Sequence, residues 1–259
     1  GAVTSIPINY TLETILSVSA EGGVNRAMEE WGDVLLQKYG KQRYAYRRDF
    51  AVQKLGFSTD NGAYYYYHTK ANQTYQQTLA DVKKYSDTVG IPYQYVLLDS
   101  WWYYKGEGGG LQRWDARPSV FPGGLAGLHA ETGWKQMLHS RYWDPTTSYS
   151  KRNGGQYNFI HDGSSVVVPN DQAFWNDLIA NKTKSGLFCY EQDWLNDEMD
   201  LSRTLGESAT MGRTWMLQMS KGCDKSNVTL QLCMSHVRHI LQSVEMPAAT
   251  NARGSGDYI

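Results

Sequence analysis

Two acidic residues stand two positions apart in the run Leu187-Phe188-Cys189-Tyr190-Glu191-Gln192-Asp193-Trp194. Within a β-strand that spacing sends both side chains to one face. Two carboxylates held together raise each other's cost of ionisation, which is how acid and base groups are tuned. The same stretch also fits a solvated pair at a helix start, with Asp197 and Glu198 beside the positive helix end. A second candidate is Asp99, followed by Ser100-Trp101-Trp102-Tyr103-Tyr104. A carboxylate accepts hydrogen bonds from two adjacent hydroxyls, and an indole covers the apolar face of a sugar ring. The alternative is an aspartate capping a turn, with the aromatics packed below it. A third is Arg253-Gly254-Ser255-Gly256-Asp257, a glycine-rich turn that could swing Asp257 over a cleft opposite Asp193. His236 and His239, flanking Arg238, read as polar groups at a helix start. Nothing with H-x-x-x-H, C-x-x-C or calcium-loop spacing supports a metal site, so neither metal nor cofactor is expected.

These residues need elements to position them. Apolar positions at helical spacing predict a helix from Asn25 to Tyr39, stopped by Gly40. Strands are expected at 52–58, 93–98, 136–143, 186–192, 228–234 and 248–252. Helices are expected between them at 73–89, 122–132, 170–184, 208–221 and 236–245. Alternation of this kind implies a parallel sheet buried on both faces. A doubly wound sheet would carry a G-x-G-x-x-G turn after its first strand, and none is present, which also disfavours a nucleotide-dependent enzyme. Polar groups cluster instead at strand C-terminal ends: Asp60-Asn61, Asp99-Ser100, His139 with Arg141, Asp193, His236 and Asp257. That is the pattern of a (β/α)8 TIM-type barrel, with about six strand–helix units present. Residues 1–45 form an N-terminal segment whose helix leads into the partial barrel of residues 46–259.

The chain has 259 residues and 29.4 kDa, enough for a sizeable core. Lys plus Arg number 25 against 26 for Asp plus Glu, so no basic excess favours nucleic acid or an anionic membrane surface. No apolar run is long enough for a membrane span. Aromatics make up 13%, including 19 tyrosines and 9 tryptophans, which suits flat, hydroxyl-rich ligands as well as core packing. Asn9, Asn72, Asn181 and Asn227 each begin an N-x-Thr acceptor sequon, favouring a secretory-pathway, secreted or lysosomal glycoprotein. Cys223 and Cys233 flank a turn and could pair in a disulfide, whereas Cys189 reads as a buried thiol.

From Leu55 to Asp257 the chain resembles the retaining glycoside hydrolases of the α-galactosidase and raffinose-synthase type, whose clan also holds the α-glucosidases. Val96-Leu97-Leu98-Asp99-Ser100-Trp101-Trp102 is similar to the second-strand motif whose aspartate binds sugar hydroxyls. Trp114-Asp115-Ala116-Arg117-Pro118-Ser119-Val120-Phe121-Pro122-Gly123-Gly124-Leu125 matches the family's W-x-x-x-P-x-x-F-P-x-G-L stretch, its most specific signature. Tyr190-Glu191-Gln192-Asp193 falls at the K-x-D nucleophile motif, and Arg253 to Asp257 at the R-x-x-x-D acid/base motif.

The resemblance implies a retaining glycosidase or transglycosidase for α-linked sugars, with Asp193 as nucleophile and Asp257 as acid/base. Asp60 and Asp99 would hold ring hydroxyls, Trp101 or Trp143 would stack on the ring, and Glu191 and Arg253 would complete the substrate site. Two departures matter. Glu191 reverses the charge of the family's lysine, and the sequence ends after the sixth strand, where the family has two further units. The expectation is a piece of a longer protein, or a barrel completed by another segment or a partner chain. The alternative function is a secreted carbohydrate-binding or structural glycoprotein on a hydrolase scaffold without turnover.

Overall fold

The computed structural model describes residues 3–19, 21–42 and 49–254. Six strands form one sheet: β1 (Leu55–Ser58), β2 (Tyr93–Leu98), β3 (Lys135–Ser140), β4 (Leu187–Gln192), β5 (Thr229–Leu232) and β6 (Ala249–Ala252). Every neighbouring pair is parallel, and the order across the sheet is the order along the chain. This order settles the architecture. A doubly wound sheet reverses direction part-way so that helices cover both faces. Without a reversal, right-handed crossovers place every connecting helix on the same side, and the sheet must curl around its other face. The six strands accordingly form a curled half-barrel.

Residue parity separates the two faces. Val96, Leu98, Leu138, Tyr190, Leu230 and Leu232 point outward, are fully buried, and pack under the outer helices. Those helices span Tyr75–Val89, Gly124–Thr132, Gln172–Thr183 and Met211–Lys225. The first and third start where side chains satisfy the first free backbone N–H groups. Thr74 forms a capping box with Gln77, and Asp171 accepts from the Ala173 N–H. The inward positions behave differently at the two ends of the strands. At the N-terminal ends, Tyr95, Leu97, Met137, Phe188 and Cys189 make a separate apolar cluster against Phe50 and Ala51. At the C-terminal ends the inward residues are polar.

The structure departs from the sequence expectation in four places. Residues 52–58 are not one strand: Asp49 accepts from the Ala51 N–H and starts a short helix, Phe50–Gln53, so the strand begins only at Leu55. β3 ends at Ser140 rather than 143. Two unexpected antiparallel ribbons, Tyr104–Lys105 with Leu111–Arg113 and Phe159–Ile160 with Val168–Pro169, decorate the mouth. Short helices Leu195–Leu201 and Arg203–Glu207 follow β4. The N-terminal helix spans Gly23–Tyr39 and buries no residue.

Candidate active site

The inward parity of β2, β3 and β4 brings Asp99, His139, Glu191 and Asp193 to one end of the half-barrel. His139 is their hub, and only 1% of it is exposed. Its Nε2 lies 3.0 Å from Asp193 Oδ2 and 3.7 Å from Asp99 Oδ2, while Nδ1 lies 3.0 Å from the Tyr103 hydroxyl. Burial works against a charged imidazole. The charge of Asp99 and the hydrogen bond and charge of Asp193 outweigh it, and His139 is pushed up to about 9. As an imidazolium it donates from both ring nitrogens. Burial likewise pushes Asp193 towards protonation, but His139 and the Trp194 backbone N–H, 2.8 Å from Oδ1, hold its carboxyl below the usual aspartate value. Trp194 occupies the left-handed region, φ 59°, a strained setting for a bulky residue that lets the chain turn at the strand end and aim this N–H at Asp193.

A cavity of about 280 Å³ opens above this hub, near the lower limit of roughly 300–1,000 Å³ for small-molecule sites. Asp60, Asn61, Asp99, His139, Arg141 and Asp193 supply its polar wall, and Tyr66, Tyr67 and Trp194 its aromatic one. The Arg141 guanidinium lies 4.4 Å from the centre of the Trp194 ring. Burial and the charge of Asp99 raise the pKa of Asp60, against which Arg253 works. A larger cavity, about 350 Å³, lies outside the sheet beside Phe57, Tyr65, Tyr85 and Tyr93. Its charged side chains, Lys70 and Asp81, are exposed and paired with each other.

Of the expected site residues, Asp60, Asp99 and Asp193 meet in the cavity wall. Asp257 lies outside the described residues. Trp101 and Trp143 are not ligand platforms. Trp101 is 2% exposed and stacked on Tyr75 at 3.5 Å, and Trp143 is fully buried with its ring edge-to-face against Phe174. The chain itself covers these aromatics, so they need no sugar to do so. Glu191 is 1% exposed and lies behind the cavity. Its Oε1 accepts from Gln231 Nε2 at 2.7 Å and Arg253 Nη1 at 3.3 Å. Burial is the main cause that pushes its carboxyl up to about 8. Arg253 spans to Asp60 Oδ2 at 2.8 Å.

Cys223 and Cys233 are not bonded; all three cysteines are buried free thiols. The reason is topological. Cys223 packs in the helix layer outside the sheet, whereas Cys233 follows the inward parity of Gln231 and lies beside Asp193. The four sequon asparagines are exposed, and Asn9, Asn72 and Asn227 occupy the left-handed region favourable to asparagine. His236 precedes the helix Val237–Gln242 and pairs with Asp200, while burial drives the neighbouring His239 down to about 3. Among the described residues no group of three or more His, Cys, Asp or Glu side chains could hold a metal, and no helix is long and apolar enough to cross a membrane.

The sequence reading placed His139 at a strand end without giving it a role. The available signal was its two-residue offset from the apolar Met137, which puts both on one face. The aromatic walls were missed altogether, although Ala63-Tyr64-Tyr65-Tyr66-Tyr67 directly follows Asp60-Asn61-Gly62 at the end of the first strand.

No protein-family profile matches the chain, and no curated protein matches it. Among solved structures, it is similar to Abp, a GH27 β-L-arabinopyranosidase from Geobacillus stearothermophilus. The TM-score is 0.56 at 14% identity, covering 83% of this chain and 55% of that one. It is also similar to TtGalA, an α-galactosidase from Thermus thermophilus solved in complex with stachyose. There the TM-score is 0.51 at 15% identity, covering 79% and 44%. The chain thus spans about half the length of these structures. At such identities the likeness is one of fold alone: the half-barrel shares the barrel architecture of these two structures.

Proposed function

We propose that the protein is a glycoside hydrolase or transglycosidase that acts on a neutral, α-linked sugar with retention. One observation carries the reading: Asp193 sits at the C-terminal end of β4, at the wall of the cavity, ionised and oriented by His139. The charge balance of the surroundings supports a neutral ligand. Three carboxylates, from Asp60, Asp99 and Asp193, face the cations of His139, Arg141 and Arg253. Glu191, raised to about 8, adds an uncharged acid at neutral pH.

In this mechanism Asp193 attacks the anomeric carbon as the glycosidic oxygen leaves with a proton from an acid, forming a glycosyl ester. The same acid, now a base, then takes a proton from water or an acceptor hydroxyl. That group attacks the anomeric carbon and releases Asp193 as carboxylate. A carboxylate held at low pKa is both ionised for the first step and a good leaving group for the second. His139 stabilises it in both roles. Asp257, four residues beyond Arg253, is the proposed acid/base on the strength of the R-x-x-x-D resemblance. Asp60 and Asp99 accept ring hydroxyls, and Trp194 or the Tyr66–Tyr67 pair covers the ring. The exposed sequon asparagines fit a secretory-pathway glycoprotein.

The test is turnover of aryl α-glycosides, with product configuration read by NMR. Parent protein should release α-configured sugar first, and Asp193→Asn should lose at least about 10³-fold in kcat. Sugar binding with equal, negligible turnover in both proteins would sink the enzymatic reading in favour of a carbohydrate-binding role.

A further inference from the structure

We propose that Glu191 is a positioning residue: its buried carboxyl group reaches past β5 to hold the Arg253 guanidinium against Asp60, fixing one wall of the pocket. Its consequence for turnover rests on the glycosidase reading; the positioning itself does not. Glu191 lines no part of the cavity, so it does not act by touching substrate. Its Oε1 takes hydrogen bonds from Gln231 on β5 and Arg253 at the exit of β6, and the same Arg253 nitrogen donates to Asp60 at the exit of β1. One chain of contacts therefore crosses from β4 to β1. β1 and β6 are the two edges of the sheet, and no backbone pairing joins them among the described residues. Pairing of β1 on β2 already ties Asp60 to Asp99, so what the side-chain chain fixes is Arg253, and with it the cationic partner of Asp60, across the open edges of the sheet.

The residue type fits the task. Neighbouring strands lie about 4.8 Å apart, so an aspartate at this position would fall short of a group beyond β5 where a glutamate reaches. A carboxyl group placed this deep is tolerated only when hydrogen-bonded. Among the described residues Glu191 meets that need through one oxygen alone, and Oε2 has no partner. The working atom is thus a single acceptor, which a glutamine reproduces and a leucine does not.

Arginine side-chain ¹⁵N NMR on the full protein tests this directly. A guanidinium with slowed rotation, identified by its loss in Arg253→Lys, is expected in the parent and in Glu191→Gln and should rotate measurably faster in Glu191→Leu, where the Asp60 contact remains but its brace is gone. An unchanged rotation rate in Glu191→Leu overturns the proposal. In kcat/KM, Glu191→Gln should stay within about threefold of the parent. Glu191→Leu should fall about 30- to 100-fold, the scale of a misplaced site wall. Combining Glu191→Leu with Arg253→Lys should cost no more than the larger single effect. Where the parent turns over substrate, equal activities for the Gln and Leu variants, or full additivity in the double variant, would also overturn it. The NMR pattern in a protein that turns over no α-glycoside leaves the positioning intact and removes the glycosidase reading.

Discussion

The inward face of the half-barrel changes character over two residues. At the N-terminal ends of the strands, the closed end, Phe50 packs against the apolar cluster and meets Phe188 at 5.1 Å and Tyr95 at 6.2 Å, ring centre to ring centre, beside Met137 and Cys189. Two positions further along the same strands, Leu97 gives way to Asp99, Met137 to His139 and Cys189 to Glu191. The side chains at that level are buried as deeply as those below. The difference lies in how burial is tolerated. Apolar groups at the closed end gain by leaving water, while each charge at the mouth needs an opposite charge or a hydrogen bond within reach. The closed end can therefore be altered at a cost in stability alone. The mouth, where Asp60, Asp193, His139, Glu191 and Arg253 lean on one another, should convert small changes into changes of reactivity.

The widest separation between the two regions is expected from a reciprocal pair of variants. Asp193→Asn should cut turnover at least about 10³-fold at only a modest cost in melting temperature, because the amide oxygen still accepts from the Trp194 N–H while the amide nitrogen can donate to His139 once that ring is neutral. Phe50→Ala should cost roughly 2–3 kcal/mol, less than for a fully enclosed ring because Phe50 is half-buried, with little change in kcat per folded molecule. Calorimetry and initial rates on the same preparations check both. A large loss of kcat in Phe50→Ala would show that the ends are mechanically coupled rather than separate.

A smaller effect sharpens the view of the mouth. Replacing His139 by Gln keeps a hydrogen-bond donor near Asp193 but removes the positive charge. The turnover loss should be about 10- to 100-fold, and the acid limb of the kcat/KM profile should move upward, because Asp193 loses the partner that holds its carboxyl low. An unmoved acid limb would mean that His139 does not set the ionisation of Asp193.

Much of this contrast was readable before any coordinates. The runs Tyr95-Val96-Leu97-Leu98 and Leu187-Phe188-Cys189-Tyr190 announce buried parallel strands, and Asp99 and Asp193 stand at their ends. What escaped depended on contacts distant in sequence. His139 gains its role from the register of β3 on β4, which places it opposite Glu191. Trp101 lost its expected role to Tyr75, a helix residue that stacks on it. Val52, Leu55 and Phe57 looked like one strand because their side chains are apolar; a single cap from Asp49 turns the first part into a helix and leaves Val52 exposed. The two ribbons are too short to show any period. Local patterns reveal burial and strand ends, whereas partner choice across the sheet decides which buried polar group is reactive.

The last distinction between the ends concerns pH. Glu191 has a folded pKa raised to about 8 from 4.5, so the folded state resists losing its proton while the unfolded chain gives it up readily. Its contribution to stability is therefore fully present below about 4.5 and is lost as pH rises towards 8. His139, raised from 6.5 to about 9, acts in the same direction over a higher window: its stabilisation is present below about 6.5 and fades as pH rises through 9. Asp193, held low, opposes only at the acid end, where its stabilisation fades as pH falls. Stability should thus decline from pH 5 to 8 mainly because of Glu191. Glu191→Gln, with no proton to lose, should flatten that decline. Phe50→Ala should lower the whole curve without changing its slope, since an apolar ring does not titrate. Urea melts at pH 5, 6.5 and 8 separate the two outcomes. Parallel curves for parent and Glu191→Gln would mean that the carboxyl group is ionised in the folded state across the range, held by Arg253 as a full ion pair rather than as a neutral acid.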